Sequence, residues 1–259
     1  MPGALKDYAL SPEAPLSRTK YGRISPDAAT GLPAILDRLR EVYGIDFTYY
    51  KPATISRRID RRISMVKSSS FGEYSRQVLE EPAELDALYK DLLIGVTRFF
   101  RDPEAFAIIA DRVLPSIIES TPLDDELRVW VAGCATGQEA YSMAMAFMEA
   151  ADSTPRVGPP QVFATDVNDT LLETARQGLY PRSVVQDLSP ERLRRFFVEE
   201  SGGYRVAKTL RDVVVFARQN VISDPPFSRL DLISCRNLLI YFEAALQQQI
   251  FPVFHYALR

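Results

Sequence analysis

The sequence predicts an α/β fold in which a doubly wound parallel sheet follows a small all-α N-terminal domain. Residues 128–141, RVWVAGCATGQEAY, have the pattern of a buried strand, a turn of small residues and the start of an amphipathic helix. Two further apolar runs, at 162–165 and 230–234, are each followed by a helical pattern, which is typical of parallel strands. Before residue 94, apolar residues recur at helical spacing instead.

The composition indicates a soluble globular protein and narrows its chemistry. Of 259 residues, 46% are hydrophobic, and the net charge of -3 carries no global signature of nucleic-acid binding. Two cysteines exclude a disulfide framework, and a single histidine argues against a Ser-His-Asp triad or a metal site. Because the sequence has no signal-peptide pattern or long apolar run, we expect a cytoplasmic protein that does not insert into a membrane.

The N-terminal part carries a cationic helix. We interpret residues 1–25 as a tail and residues 26–94 as a helical domain, with its first helix over 27–43. In the next helical pattern, isoleucines share one face, and the arginines beside and opposite it are Arg57, Arg58, Arg61 and Arg62. Such a run is commonly a solvated face. Arginines at i,i+4 repel one another, however, which favours an acidic partner.

The segment 95–106, GVTRFFRDPEAF, precedes the central strand. Phe99 and Phe100 form an apolar anchor, and Thr97 and Arg101 are polar groups beside it. Asp102 is expected to cap a helix that starts with proline and runs to about Ile118. A capped interdomain helix with a surface arginine would give the same pattern.

The small-residue turn between Gly133 and Gly137 predicts a nucleotide cradle, because glycines let the backbone approach a ligand closely. Alone, the turn is equally typical of a βα connection without a ligand. Asp166 ends the second strand, where an acid typically accepts hydrogen bonds from ribose hydroxyls. Alternatively, Asp166 or Asn168 caps the next helix, and both roles are compatible.

Residues 178–217 interrupt the doubly wound pattern. A short helix begins after Ser189, and two strands follow around a Gly202-Gly203 turn. We expect an inserted α+β subdomain here.

Four motifs in this order resemble those of the chemotaxis protein methyltransferases of the CheR type: VTRFFRDPEAF, VAGCATGQEAYSMAM, FATDVNDTLLETARQGLY and NVISDPPFSRLDLISCRNLLIYF. The resemblance extends from about Asp27 to the C-terminus. Members of that family use S-adenosylmethionine to esterify glutamate side chains of bacterial chemoreceptors. The resemblance implies a Rossmann-like methyltransferase domain over residues 95–259 and a receptor-docking domain over residues 26–94.

The resemblance also implies roles for single residues. It places Arg101 and Tyr241 close to the transferred methyl group, as candidate catalytic residues. Together with the glycine turn, it implies contacts with S-adenosylmethionine, or its product S-adenosylhomocysteine, by Thr97, Arg101, Gly133, Glu139, Asp166, Asn220, Val221, Arg236 and Asn237. The arginine-rich helix, with Arg57, Arg58, Arg61 and Arg62, resembles the family's docking helix, whose partner is the acidic helical region of a chemoreceptor.

Three differences from the family pattern modify these expectations. Gly95 stands where members often have asparagine, which removes or replaces one cofactor contact. The hairpin near Gly202 is short, so we expect recognition that does not depend on a tethered C-terminal peptide of the receptor. The sequence ends at Arg259, so we expect the sheet to lack its C-terminal strands.

Methyl transfer to glutamate is consistent with a sequence that has one histidine and no metal-binding pattern. A glutamate carboxylate is ionised at neutral pH and needs no general base to accept a methyl group. Alignment and exclusion of water remain as tasks for the protein. A second hypothesis stays open, in which a regulatory module binds S-adenosylmethionine or another nucleotide without turnover and acts through protein interaction.

Overall fold

A computed structural model describes residues 31–93, 95, 97–122, 125–152 and 158–259. The predicted tail over residues 1–25 and the start of the first predicted helix lie outside these ranges.

Four helices form the N-terminal part, as the helical spacing predicts: α1 Leu32–Tyr43, α2 Pro52–Val66, α3 Phe71–Glu80 and α4 Pro82–Leu92. α1 ends at Gly44, whose left-handed conformation (φ 74°) closes the helix. The apolar faces of the helices share one core, in which Leu39, Ile59, Tyr74 and Leu88 are almost fully buried.

The following helical segment contains α5 Pro103–Ile108, a π-helical turn over Ile109–Val113 and α6 Leu114–Ser120. Pro103 begins it, as predicted. The expected side-chain cap by Asp102 is wrong, because the Asp102 carboxylate makes no capping hydrogen bond and instead pairs with Arg236 at 2.8 Å.

The remaining elements belong to the α/β part. In chain order they are β1 Arg128–Ala132, α7 Gln138–Asp152, β2 Gln161–Asp166, α8 Asp169–Gln177, β3 Leu179–Tyr180, α9 Pro190–Phe196, β4 Phe197–Glu200, β5 Gly203–Val206, α10 Lys208–Arg211, β6 Val214–Arg218, β7 Leu232–Ser234 and α11 Ala244–Ala257.

The main sheet has the order β6-β2-β1-β7, and all three neighbouring pairs are parallel. The chain therefore winds outward from β1 in both directions, which confirms the doubly wound prediction. Asn168, rather than Asp166, caps α8, since its side chain accepts hydrogen bonds from the backbone of Thr170 and Leu171. Beyond α11, Leu258 forms a parallel bridge with Leu230, next to the edge strand β7.

The predicted insertion is a small antiparallel sheet with the order β3-β5-β4, and α9 lies between β3 and β4 in the chain. Ser189 caps α9 by accepting a hydrogen bond from the backbone of Arg192, as expected. Gly203 is required in the hairpin, because a Cβ there would lie 2.0 Å from the carbonyl oxygen of Tyr180. This inserted subdomain packs on the rest of the chain through Phe99, which meets Tyr180 and Phe197 edge to face.

Across the described part of residues 31–259, no helix is both long enough and apolar enough to cross a membrane.

Candidate functional site

A crevice lies beyond the carboxyl ends of β1, β2 and β7, where ligands bind in doubly wound folds. It encloses about 710 Å³, counted to its open mouth. Its polar lining includes seven of the residues predicted to hold a cofactor: Thr97, Arg101, Gly133, Glu139, Asp166, Arg236 and Asn237. Tyr241, the second candidate catalytic residue, lines it as well. The structure therefore brings together residues that are up to 144 positions apart, from Thr97 to Tyr241.

The glycine turn gives the crevice its floor. Gly133 has a φ of 75°, and a Cβ on it would lie 3.0 Å from Leu238 Cδ2. The N–H groups of Gly133 and Cys134 both donate to the carbonyl oxygen of Thr165, so they are engaged within the protein. At these two positions the turn thus supplies shape and close approach rather than hydrogen-bond donors.

Asp166 is held in place by the backbone. Its carboxylate accepts hydrogen bonds from the N–H groups of Ala135 and Asn168, both at 2.9 Å. Burial raises the pKa of Asp166, although these hydrogen bonds oppose the shift. A carboxylate has about four acceptor positions, so Asp166 can still accept hydrogen bonds from a ligand.

Glu139 and Arg236 form the charged end of the crevice. Ser234 Oγ donates to Glu139 Oε1 at 2.6 Å, and Arg236 Nη1 lies 3.8 Å from Glu139 Oε2. Burial raises the pKa of Glu139, against the effects of Ser234, Arg236 and Arg101. Arg236 Nη1 is buried and has no hydrogen-bond partner within the described residues. A buried donor of this kind favours a ligand that supplies the missing acceptor.

The loop that contains Arg101 has a left-handed backbone conformation at two residues. Phe100 and Asp102 have φ values of 45° and 58°. Arg236 Nη2 donates to the carbonyl oxygen of Arg101 at 2.6 Å and to Asp102 Oδ2 at 2.8 Å. These contacts direct the Arg101 side chain toward the crevice that it lines. Left-handed conformations in residues other than glycine persist where the surroundings enforce them, which is common at functional sites.

Tyr241 lies on a segment joined to the N-terminal part. Lys51 N donates to the carbonyl oxygen of Tyr241 at 2.9 Å, and Glu243 N donates to that of Tyr49 at 3.0 Å. Between them, Tyr50 packs edge to face on Phe242. The segment just before α2 is thereby attached to the wall of the crevice that carries Tyr241.

The crevice continues past Asp166 into a mainly apolar slot. Its lining residues are Ile45, Tyr50, Gly133, Thr165, Asp166, Val167, Gln219, Asn220, Val221, Ile222, Leu238 and Phe242. Asn220 and Val221 were predicted. Asn220 Oδ1 accepts a hydrogen bond from Ile222 N at 3.0 Å, which orients the side-chain amide.

Gln219 is a polar group of this slot that the sequence did not reveal. It is only 9% exposed, and its Nε2 donates to the carbonyl oxygen of Pro225 at 2.8 Å. A carbonyl oxygen can only accept, so this bond fixes the amide orientation. Gln219 Oε1 is then a buried acceptor without a partner in the described structure. Apolar lining residues from the N-terminal part, such as Tyr50 and Leu92, were also not predicted.

The four arginines of α2 lie outside the crevice and do not share one environment. Arg62 is paired with Glu84, with Nε to Oε1 at 2.9 Å and Nη2 to Oε2 at 2.6 Å, and its side chain is 12% exposed. Arg57 and Arg61 are exposed, and Arg58 is half-buried. Arg62 therefore holds α2 to α4 and is not available on the surface, so we remove it from the docking set.

Of the two cysteines, Cys134 is buried and Cys235 is half-buried. Burial raises the pKa of Cys134, and raises the pKa of Cys235 to about 12, so neither thiol is poised as a nucleophile. Within the part of the chain that the structure describes, acidic, histidine and cysteine side chains form no cluster suited to a metal ion.

Comparison with protein-family models gives matches over most of the chain. Residues 95–259 match the model described as "CheR methyltransferase, SAM binding domain". Residues 31–93 match the model described as "CheR methyltransferase, all-alpha domain".

Individual relatives agree. The chain is 32% identical to a chemotaxis protein methyltransferase of Listeria innocua, over 83% of this chain and 80% of the relative. It is also 32% identical to a chemotaxis protein methyltransferase of Escherichia coli, over 80% of this chain and 72% of the relative. A 104.1 kDa protein of Rhodobacter capsulatus is 40% identical over 90% of this chain, which spans 24% of that longer protein.

Proposed function

Because the chain belongs to the CheR methyltransferase family, we propose that it transfers the methyl group of S-adenosylmethionine to glutamate side chains of chemoreceptors. The products would be glutamyl methyl esters and S-adenosylhomocysteine. One observation carries the proposal: Arg101, Glu139 and Arg236 line the same crevice as Tyr241. The acidic helical regions of the receptors, and hence the reaction, would lie in the cytoplasm.

The charged end of the crevice fits the amino-acid part of S-adenosylmethionine. The buried Nη1 of Arg236 lacks an acceptor, and a carboxylate would supply one. Glu139, fixed by Ser234, offers a negative charge to an ammonium group. The opposite charges of an amino acid are thus matched within one site.

The slot beyond Asp166 fits the nucleoside. Asp166 borders both parts of the crevice, which is where a ribose would lie between the base and the amino-acid part. Gln219 Oε1 needs a donor, and the 6-amino group of adenine is one. The apolar side chains of Val221 and Leu238 would pack on the faces of the base.

The proposed reaction asks the protein for alignment. S-adenosylmethionine supplies an activated methyl group when bound, and the attacking carboxylate is ionised at neutral pH. Tyr241 would donate a hydrogen bond that orients this carboxylate. Arg101 would hold the cofactor in the position from which the carboxylate can reach its methyl group. Correct orientation can contribute up to roughly 7–11 kcal/mol to catalysis.

We propose Arg57, Arg58 and Arg61 as the docking surface for an acidic receptor helix. None of the three forms an ion pair with a described residue, so their charges are available to a partner. α2 begins directly after the segment that pairs with Tyr241, and this continuity supports a docking surface near the candidate catalytic tyrosine. Since the hairpin is short, docking would not require a tethered receptor peptide.

The docking surface is tested by charge reversal. Arg57→Glu with Arg61→Glu should raise the KM for receptor about tenfold, more at low salt, with unchanged cofactor affinity. Arg76→Glu, on the exposed face of α3, is the control in the same helical part. The control reverses one charge instead of two, so an equal rise in KM per reversed charge would show that only net charge matters.

The function itself is tested by a radiolabelled methyl-transfer assay on receptor-containing membranes. We expect label that is released as methanol by base, as a carboxylate methyl ester requires. Cofactor binding without base-labile label would contradict the proposal.

That negative result would favour the second hypothesis, a regulatory module that binds S-adenosylmethionine without turnover. One observation favours it: a Cβ at Gly95 would lie 2.9 Å from Leu171 Cδ1, so the position where family members often have asparagine offers no polar side chain.

A further inference from the structure

The loop over Phe99–Asp102 depends on its neighbours for its shape. Phe100 has a left-handed backbone and is 6% exposed. Its N–H donates to Ser142 Oγ of α7 at 2.9 Å, and its ring meets Phe106 edge to face. These contacts hold one side of Phe100, next to the candidate catalytic residue Arg101.

The inserted subdomain covers the other side. The guanidinium carbon of Arg192, on α9, lies 3.7 Å from the centroid of the Phe100 ring. The same guanidinium is held by Glu149 of α7, with Nε to Oε1 at 2.9 Å and Nη2 to Oε2 at 2.8 Å. Arg192 is therefore fixed by two hydrogen bonds in the position that a cation–π contact requires.

We propose that Arg192 is a positioning residue that sets the placement of Arg101 through Phe100. The inserted subdomain would then act on the cofactor site, although its own residues do not line the crevice. The inference rests on the proposed function in one respect, the contact of Arg101 with the cofactor. Removal of the Arg192 side chain would let Phe100 relax its backbone and withdraw Arg101.

The chain offers a matched control on the same two helices. Arg195 of α9 forms an ion pair with Asp152 of α7, as Arg192 does with Glu149. Arg195 lies over Phe196 of its own subdomain instead of over Phe100. The two arginines thus anchor α9 similarly, and only Arg192 touches the loop.

A double-mutant cycle on the full chain tests the proposal, with calorimetric affinity for S-adenosylhomocysteine as the readout. Arg192→Met should weaken binding about tenfold and Arg195→Met less than twofold. In an Arg101→Ala background, Arg192→Met should cause no further loss, because its effect passes through Arg101. Arg192→Lys, which keeps a cation near the ring, should recover part of the affinity.

Equal losses for Arg192→Met and Arg195→Met, or the same loss with and without Arg101, would overturn the proposal. If Arg192→Met fails to fold, Glu149→Gln removes the ion pair and one of the two hydrogen bonds to the guanidinium with little change of shape. It should give a smaller loss of affinity, which is again absent in the Arg101→Ala background. The readout is independent of turnover. A wild-type chain that binds the product but transfers no methyl group refutes the proposed function alone, and an active chain with an additive cycle refutes the positioning role alone.

Discussion

The two candidate catalytic residues are held by different parts of the molecule. The Arg101 loop is fixed within the α/β part, by Arg236, Ser142 and Arg192. The Tyr241 segment is fixed by the helical part, through backbone hydrogen bonds to residues 49–51. The two walls of one crevice therefore depend on separate supports.

This difference separates two tasks. Arg236, one of the supports of Arg101, also forms the charged end of the crevice, so disturbing the supports of Arg101 should change cofactor affinity. The support of Tyr241 leads directly into α2 and its exposed arginines, so disturbing it should change transfer to the receptor at constant cofactor affinity. The predictions below test this division.

The largest effect is expected for Arg101→Ala. Loss of a charged hydrogen-bonding group in a desolvated site should lower kcat/KM for methyl transfer about 100-fold and weaken binding of S-adenosylhomocysteine. Arg98→Ala is the control, because Arg98 belongs to the same motif but is exposed. Methyl-transfer assays and calorimetry on both variants test this prediction. A decrease in kcat/KM of less than threefold for Arg101→Ala would show that Arg101 does not belong to the site.

Tyr241→Phe should have a smaller and more selective effect. It removes one hydroxyl, so we expect kcat to fall about tenfold while product affinity stays within twofold. Tyr49→Phe, at an exposed tyrosine of the neighbouring segment, should leave both quantities unchanged. Parallel losses of kcat and affinity in Tyr241→Phe would show that the two walls are not divided by task.

Local spacing was sufficient to predict the floor of the crevice. A strand, a glycine turn and a helix place Gly133 at the end of β1, and Asp166 follows the neighbouring strand β2. Parallel strands bring such positions to one edge whatever the rest of the chain does. The sheet and its ligand crevice were predictable for this reason.

Contacts between distant segments were not predictable from spacing. Asp102 has the pattern of a helix cap, but its ion-pair partner Arg236 lies 134 residues away. Arg58 and Arg62 are four residues apart in the same helical pattern, so the sequence treats them alike. Arg62 is unavailable on the surface because Glu84 of α4 pairs with it. The apolar lining around Tyr50 carries no sequence motif that would predict it, because it depends on how the helical part packs on the sheet.

Gln219→Leu probes the base slot, which is separate from both catalytic segments. Loss of one buried acceptor should weaken binding of S-adenosylhomocysteine about fivefold. An analogue with a 6-oxo group in place of the amino group should bind both proteins with similar affinity, since it has no 6-amino donor for Oε1. Gln248→Leu, on the exposed face of α11, is the control. Equal losses for both ligands would show that Gln219 does not contact the 6-position.

The last prediction concerns the pH dependence of cofactor binding. Burial raises the pKa values of Glu139 and Asp166, so both carboxylates take up protons at higher pH than ordinary acids, whose pKa values are about 4. The ammonium group of the cofactor favours ionised Glu139. Affinity should therefore be complete above the raised pKa and should fall as the pH decreases through it, at most tenfold per pH unit for each group.

Glu139→Gln separates the two carboxylates. Calorimetric titrations from pH 7.5 downward through the raised pKa values should show weaker binding at neutral pH and a shallower decrease on acidification, because only Asp166 then titrates. An unchanged slope in Glu139→Gln would assign the pH dependence to Asp166 and remove Glu139 from the ammonium site. The charged end of the crevice would then depend on Arg101 and Arg236 alone. The division of tasks would become one between binding the cofactor carboxylate at these two arginines and orienting the receptor carboxylate at Tyr241.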